Sequence, residues 1–124
     1  MSIQRQAKLI SMENGTVVSI PGMTGNWKRL MKPEDTGGRE AMGIGFLSQG
    51  DERGWHTHPE GEDEILYVVS GTALVEWKDA EGKTCSRKAP AGTSIYTPEG
   101  VENNISNPET EEMYCVFFIR LNHN

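Results

Sequence analysis

Apolar and β-branched residues in this chain gather in short runs, and no ten-residue window carries the 3.6-residue period of an amphipathic helix. Gly, Pro, Asn and Asp cluster between the runs at fairly regular intervals, as in Pro33 to Gly38, Asp79 to Gly82 and Pro98 to Gly100. Such residues supply the backbone angles of tight turns. The pattern predicts strands over Thr16 to Ile20, Trp27 to Met31, Glu40 to Ser48, Glu64 to Ser70, Thr72 to Trp77, Lys83 to Arg87, Thr93 to Thr97, Glu102 to Ser106 and Glu112 to Arg120. A short helix competes only at Trp27 to Met31. An all-β sandwich or barrel follows.

The run Glu64-Ile65-Leu66-Tyr67-Val68-Val69 is apolar on both faces, so both need cover. A small barrel covers only one. The other is expected to pack on a second subunit, giving a homodimer, or on the N-terminal arm. The 124 residues leave no room for a second core, so one domain over 16–121 is expected between an arm at 1–15 and a tail at 122–124. A chain this long buries enough surface to fold without disulfides or a structural metal. A metal site would then be free to serve function.

The formal net charge of −6 argues against nucleic-acid partners, because phosphate binding runs on a surplus of Lys and Arg. The longest apolar run, Met113 to Ile119, falls far short of the roughly 18 residues of a membrane span. Near the start, only Leu9 and Ile10 follow Arg5 and Lys8, which makes no signal-peptide core. A soluble cytoplasmic protein with no membrane partner is the expectation. Cys85 and Cys115 show no Cys-x-x-Cys spacing, and two buried thiols are expected rather than a disulfide.

Candidate chemistry centres on His56 and His58, two of only three histidines; the third, His123, lies in the tail. On an extended segment, positions i and i+2 point to the same side, so both imidazoles can aim at one point. Glu64 opens the next strand and could add a carboxylate, giving a two-His-one-carboxylate face. A lone His-x-His is more often a surface pair, and Glu62, Asp63 and Glu64 together more often a solvated cluster. The whole array lifts the site reading: Gly50-x5-His56-x-His58-x5-Glu64-x6-Gly71, then Gly92-x5-Pro98-x-Gly100-x2-Asn103-x3-Asn107.

Over residues 50–107 this array resembles the two motifs of the cupin superfamily. The resemblance implies a cupin-type jelly-roll β-barrel with a metal held inside by side chains of both motifs. The first motif is longer by one or two residues after His58, so Glu64 is the implied carboxylate and Glu62, at the shorter spacing, the alternative. Where the family carries its third metal histidine, this chain has Asn103. An amide oxygen is a weaker ligand than an imidazole, so the site is expected to be weaker or more open. His56, His58 and Glu64, with Asn103, would hold Fe(II), Mn(II), Ni(II) or Zn(II) and leave coordination positions for water and substrate. The other readings of Asn103 are that it bonds backbone in the turn after Gly100, or that the metal site has been lost.

Tyr67 and Tyr96 lie on motif strands, and Tyr96 is the catalytic candidate, as an acid or substrate anchor. Arg39, Arg53 and Arg120 could hold a substrate carboxylate, although surface charge is the commoner role. No Gly-x-Gly-x-x-Gly, Gly-x-Ser-x-Gly or phosphate loop is present. The function expected is a small metalloenzyme acting on an organic acid or carbonyl compound. Oxygenase (dioxygenase-type oxidoreductase) chemistry is favoured slightly over isomerase, lyase, cyclase or decarboxylase chemistry, because an open ion leaves room for substrate and oxygen together. The alternative is a non-catalytic ligand-binding barrel with a weakened or lost metal.

Overall fold

A computed structural model describes residues 6–121. The first five residues of the expected arm, and the tail 122–124 with His123, lie outside the described residues. Among the described residues nine strands form: β1 (Thr16–Val17), β2 (Asn26–Met31), β3 (Glu40–Leu47), β4 (Asp63–Ser70), β5 (Thr72–Lys78), β6 (Thr84–Pro90), β7 (Ser94–Thr97), β8 (Asn103–Ser106) and β9 (Met113–Arg120). Each falls on a run predicted from the sequence. Trp27 to Met31 is a strand, paired antiparallel with β3 and burying Trp27 to 1% exposure. The first strand is shorter than expected because the chain turns at Pro21 and Gly22, where Met23 N–H bonds to Ile20 O at 3.1 Å. The sixth extends to Pro90, which an edge strand tolerates because a missing N–H there breaks no ladder.

The strands form two antiparallel sheets, six-stranded in the order β1-β2-β3-β9-β4-β7 and three-stranded in the order β6-β5-β8. β9 lies between β3 and β4, and β8 pairs with β5. Such non-consecutive pairings give the crossed-over layout of a jelly roll, its two ladders remaining open to each other. Alternation sends Leu66 and Val68 of β4, Ile105 of β8, and Met113, Cys115 and Phe117 of β9 into one core between the sheets. Cys115 is fully buried, which pushes its thiol up to about 12. Cys85 is only half-buried, a correction to the expectation of two buried thiols, and both cysteines are free.

The outer face of β4 differs from its inner face. Ile65, Tyr67 and Val69 are 50%, 43% and 41% exposed, with Phe118 of β9 beside them at 50%. Among the described residues, the arm does not cover this row.

Asn107, the last residue of the second motif, is fully buried and holds the end of β3 to the approach to β9. Its amide nitrogen donates to Leu47 O and Glu111 O, each at 2.9 Å, and its oxygen accepts from Glu109 N–H at 3.0 Å. Removing it orphans two carbonyls and an N–H. Asn107→Ala is expected to cost about 2–3 kcal/mol in urea unfolding with an unchanged slope. A change within about 0.5 kcal/mol, the range of ordinary surface substitutions, would show that the clamp is dispensable.

Candidate functional site

The segment before the histidines runs antiparallel to β8 as an irregular extra strand. Glu52 opposes Ser106 and His56 opposes Asn103, so four steps on this segment match three on β8. That mismatch is a bulge. An inserted residue reverses the side that later side chains face, which lets Arg53 and His56 both point inward. Gly54 occupies the bulge at φ +93°, and a Cβ there would sit 2.9 Å from Gly22 O. Conformation and space both demand glycine. Asn104 secures the bulge, accepting from Gly54 N–H at 3.0 Å and donating to Glu52 Oε1 at 3.3 Å.

His56 Nδ1 lies 2.8 Å from Gly54 O. A carbonyl only accepts, so Nδ1 carries the proton and Nε2 keeps its lone pair. Burial lowers the His56 pKa despite that bond, so the ring is neutral at pH 7. The His58 ring stands edge-on to it, centroids 5.0 Å apart. Asn103 is paired with His56 by two mutual backbone hydrogen bonds, at 2.9 and 3.0 Å. Its side-chain nitrogen donates to Val101 O at 3.0 Å and His56 O at 3.3 Å. These bonds fix the amide's orientation and turn Oδ1 away from the backbone.

Glu64 faces inward from β4 at 2% exposure, its Oε1 3.7 Å from His58 Nε2. Arg53 Nη1 donates to Oε1 at 2.6 Å, and Nη2 makes a close ionic contact with Oε2 at 2.5 Å without an aligned hydrogen bond. Burial pushes the Glu64 carboxyl up. The Arg53 charge and hydrogen bond, with the His58 ring close by, more than reverse that and hold it at about 2. The guanidinium lies 5.4 Å from the Trp27 ring and 4.9 Å from the Phe117 ring. Gly43 and Gly45 of β3 make room for those rings, since a Cβ would lie 2.5 Å from Phe117 and 2.6 Å from Trp27.

Buried polar atoms in proteins are nearly always hydrogen-bonded. Among the described residues five buried side-chain atoms are not: Arg29 Nε, His56 Nε2, His58 Nε2, Glu64 Oε2 and Asn103 Oδ1. Four belong to the four residues singled out in the sequence. Their donor types, imidazole nitrogen with carboxylate and amide oxygen, fit a divalent first-row ion. Among the described residues no group of three or more His, Cys, Asp and Glu side chains is arranged to hold an ion as it stands. The Glu64 carboxylate is already engaged by Arg53.

Other candidates fall elsewhere. Glu62 is half-buried in the turn before β4, so Glu64 is the carboxylate beside His58. Tyr96 is 60% exposed, opposite the outward Ile65, and its hydroxyl donates to Asp63 Oδ2 at 2.9 Å, which raises its pKa. That places the hydroxyl on the outer face, away from the imidazoles. Tyr67 also faces out. Arg120 is bound to Asp63 at 2.6 Å. Arg53 is an internal counter-ion rather than surface charge. The signal that could have found it is the Gly43-x-Gly45 pair, which reserves interior space.

Two facing sheets with buried polar donor atoms between them define a β-barrel protein whose candidate site is interior. A family model described as the cupin domain matches residues 45–119, more than half of the chain, and the chain belongs to that family. No curated protein matches it by sequence. Among solved structures it is similar to a predicted oxalate decarboxylase from Thermotoga maritima, at 22% identity and TM-score 0.73, over 92% of this chain and 99% of the other. It is also similar to Bacillus subtilis oxalate decarboxylase, studied for its Mn(II) centers, at 19% identity and TM-score 0.75, over 98% of this chain and 32% of the other. A cupin conserved barrel domain protein from Salinispora arenicola is 20% identical with TM-score 0.68, over 94% of this chain and 89% of the other. At such identities the likeness concerns the fold.

The buried ion pair sets a measurable expectation. Arg53→Met leaves Glu64 uncompensated and is expected to cost about 3–5 kcal/mol at pH 7, while Arg53→Met with Glu64→Leu recovers most of it. Glu64 titrates lower folded than its ordinary 4.5, so its contribution is full above that value and fades as pH falls toward 2. Urea unfolding at pH 7, 4 and 3 should therefore show a flatter acid dependence in Glu64→Gln than in the parent. Identical acid profiles, or a harmless Arg53→Met, would contradict the pair's role.

Proposed function

We propose that this cupin holds a divalent metal ion through His56 and His58, with Asn103 and Glu64 completing the donor set, and that it acts there on a small organic acid or carbonyl compound. The observation that carries the reading is the coincidence on those four residues of four buried donor atoms without a hydrogen bond, of which Glu64 Oε2 alone has an ionic partner, Arg53. Bound Fe(II), Mn(II), Ni(II) or Zn(II) would supply Lewis acidity toward a carbonyl or carboxylate, and the redox-active ions would also supply reactivity toward dioxygen. The chain's own residues orient and tune. The Gly54 bulge aims His56 Nε2, backbone carbonyls aim Asn103 Oδ1, and Arg53 keeps Glu64 ionised while weakening its pull on a second cation. A donor set with only two imidazoles leaves positions for substrate and oxygen together, which favours oxygenase chemistry over isomerase, lyase, cyclase or decarboxylase chemistry. The likeness to oxalate decarboxylases supports a small carboxylic acid as substrate and Mn(II) among the candidate ions.

A second reading is favoured by the Arg53–Glu64 pair, which balances the interior charge without any ion. The barrel would then be a non-catalytic ligand binder.

Metal analysis of tag-free protein after incubation with each of the four ions separates the two. A single ion per chain is expected, falling below about a tenth in His58→Ala while the β-sheet circular dichroism stays unchanged. Sub-stoichiometric metal in the parent under all four ions would overturn the enzyme reading. Asn103→His is expected to tighten the site, and an unaltered affinity would mean that residue 103 does not face the ion.

We also propose that the exposed row of Ile65, Tyr67, Val69 and Phe118 packs on a second copy of the chain, because contiguous apolar patches of this kind mark interfaces. The two free thiols favour a reducing compartment, the cytoplasm. Light scattering is expected to give the mass of two chains, and of one chain for Ile65→Glu. A monomer at all concentrations would contradict the dimer.

A further inference from the structure

A cavity of about 440 Å³ opens between the two sheets and reaches Asn103. Its size falls in the range of small-molecule sites. Val75, Trp77, Ile95 and Val101 give it an apolar wall, and Arg87 stands in its lining.

The register decides which way Arg87 faces. β5 and β6 pair Ala73 with Ala89, Val75 with Arg87, and Trp77 with Cys85. Ala73 and Ala89 are buried at 0% and 3%, and Val75 at 8%, so this row is the inner side of the sheet. Arg87 shares that side yet remains exposed, because the two ladders do not close over it. The neighbouring Lys88 ammonium is paired with Glu109 at 3.0 Å. Arg87 has no ion pair or hydrogen bond among the described residues. The guanidinium, exposed beside an apolar wall and without a partner among the described residues, is free to take an external anion.

We propose that Arg87 is the recognition residue for the carboxylate of an organic acid whose apolar body lies against Trp77 and Val75, with its far end toward Asn103. This deepens the reading of the barrel as the site of a small organic acid and rests on it for the ligand's destination. It makes no use of a metal for binding. The guanidinium presents two parallel N–H donors, which match the two oxygens of a carboxylate. An isosteric amide could accept only one such bond and carries no charge.

The test uses the full chain and two probes of equal shape, benzoate and benzamide, titrated calorimetrically into protein as purified and again after chelator treatment. Nuclear magnetic resonance on the chelated sample locates the contact at the Trp77 indole and the Asn103 amide. Benzoate is expected to bind about tenfold more tightly than benzamide in both samples. Arg87→Gln should bring benzoate down to the benzamide level, Arg87→Lys should retain part of the preference, and Lys88→Gln should change nothing. Equal binding of both probes, binding of neither, an inert Arg87→Gln, or resonance shifts away from Trp77 and Asn103 would each overturn the proposal. Benzoate binding that vanishes on chelation and ignores Arg87→Gln would assign the carboxylate to the metal instead. Metal binding can fail in its own assay while the Arg87 dependence survives, so the two readings fall separately.

Discussion

A guanidinium and a carboxylate share the interior of this barrel, and the arrangement of the site follows from that pairing. Taking Arg53 and Glu64 out of water is costly, and their mutual attraction repays the cost only because the geometry is two-pronged and the guanidinium is held by the Trp27 and Phe117 rings. Those rings fit because β3 carries glycine at 43 and 45. A buried ion pair adds little stability over a well-packed apolar pair. Its presence here keeps Glu64 ionised beside His58, which an apolar replacement could not do.

That pair also explains why the donor atoms stand ready but are not yet gathered. His56 Nε2 and Asn103 Oδ1 are aimed by hydrogen bonds on their opposite ends, so their lone pairs are set by the backbone. Glu64 answers to two masters. An incoming divalent cation would meet the Arg53 charge at close range, so its affinity must come from the imidazoles and from sharing, rather than capturing, the carboxylate. A softer site than a three-histidine one is the consequence, and also a more open one.

Much of this was legible from the chain. Turn residues at regular intervals marked nine strands, and the i, i+2 spacing of His56 and His58 put both rings on one side. The resemblance to the cupin motif, through the six residues between Glu64 and Gly71, implied Glu64 as the carboxylate. Arg53 was hidden for a definite reason: strict alternation sets residue 53 opposite to 56 and 58, and only the bulge at Gly54 reverses it. Arg87 was hidden because a charged residue in an alternating strand reads as outward, whereas its register with Val75 puts it on the inner side of the sheet, where it stays exposed. Tyr96 misled in the other direction. It lies on a motif strand, but on the face that β4 and β7 turn outward.

The account stands on the convergence of neutral donors around a position that a cation can enter beside Arg53. Crystals grown with Mn(II) and examined by anomalous diffraction test this most directly. One strong interior peak is expected, about 2.0–2.4 Å from both His56 Nε2 and His58 Nε2. Peaks confined to surface carboxylates, with the Arg53–Glu64 contact intact and no density between the imidazoles, would contradict it.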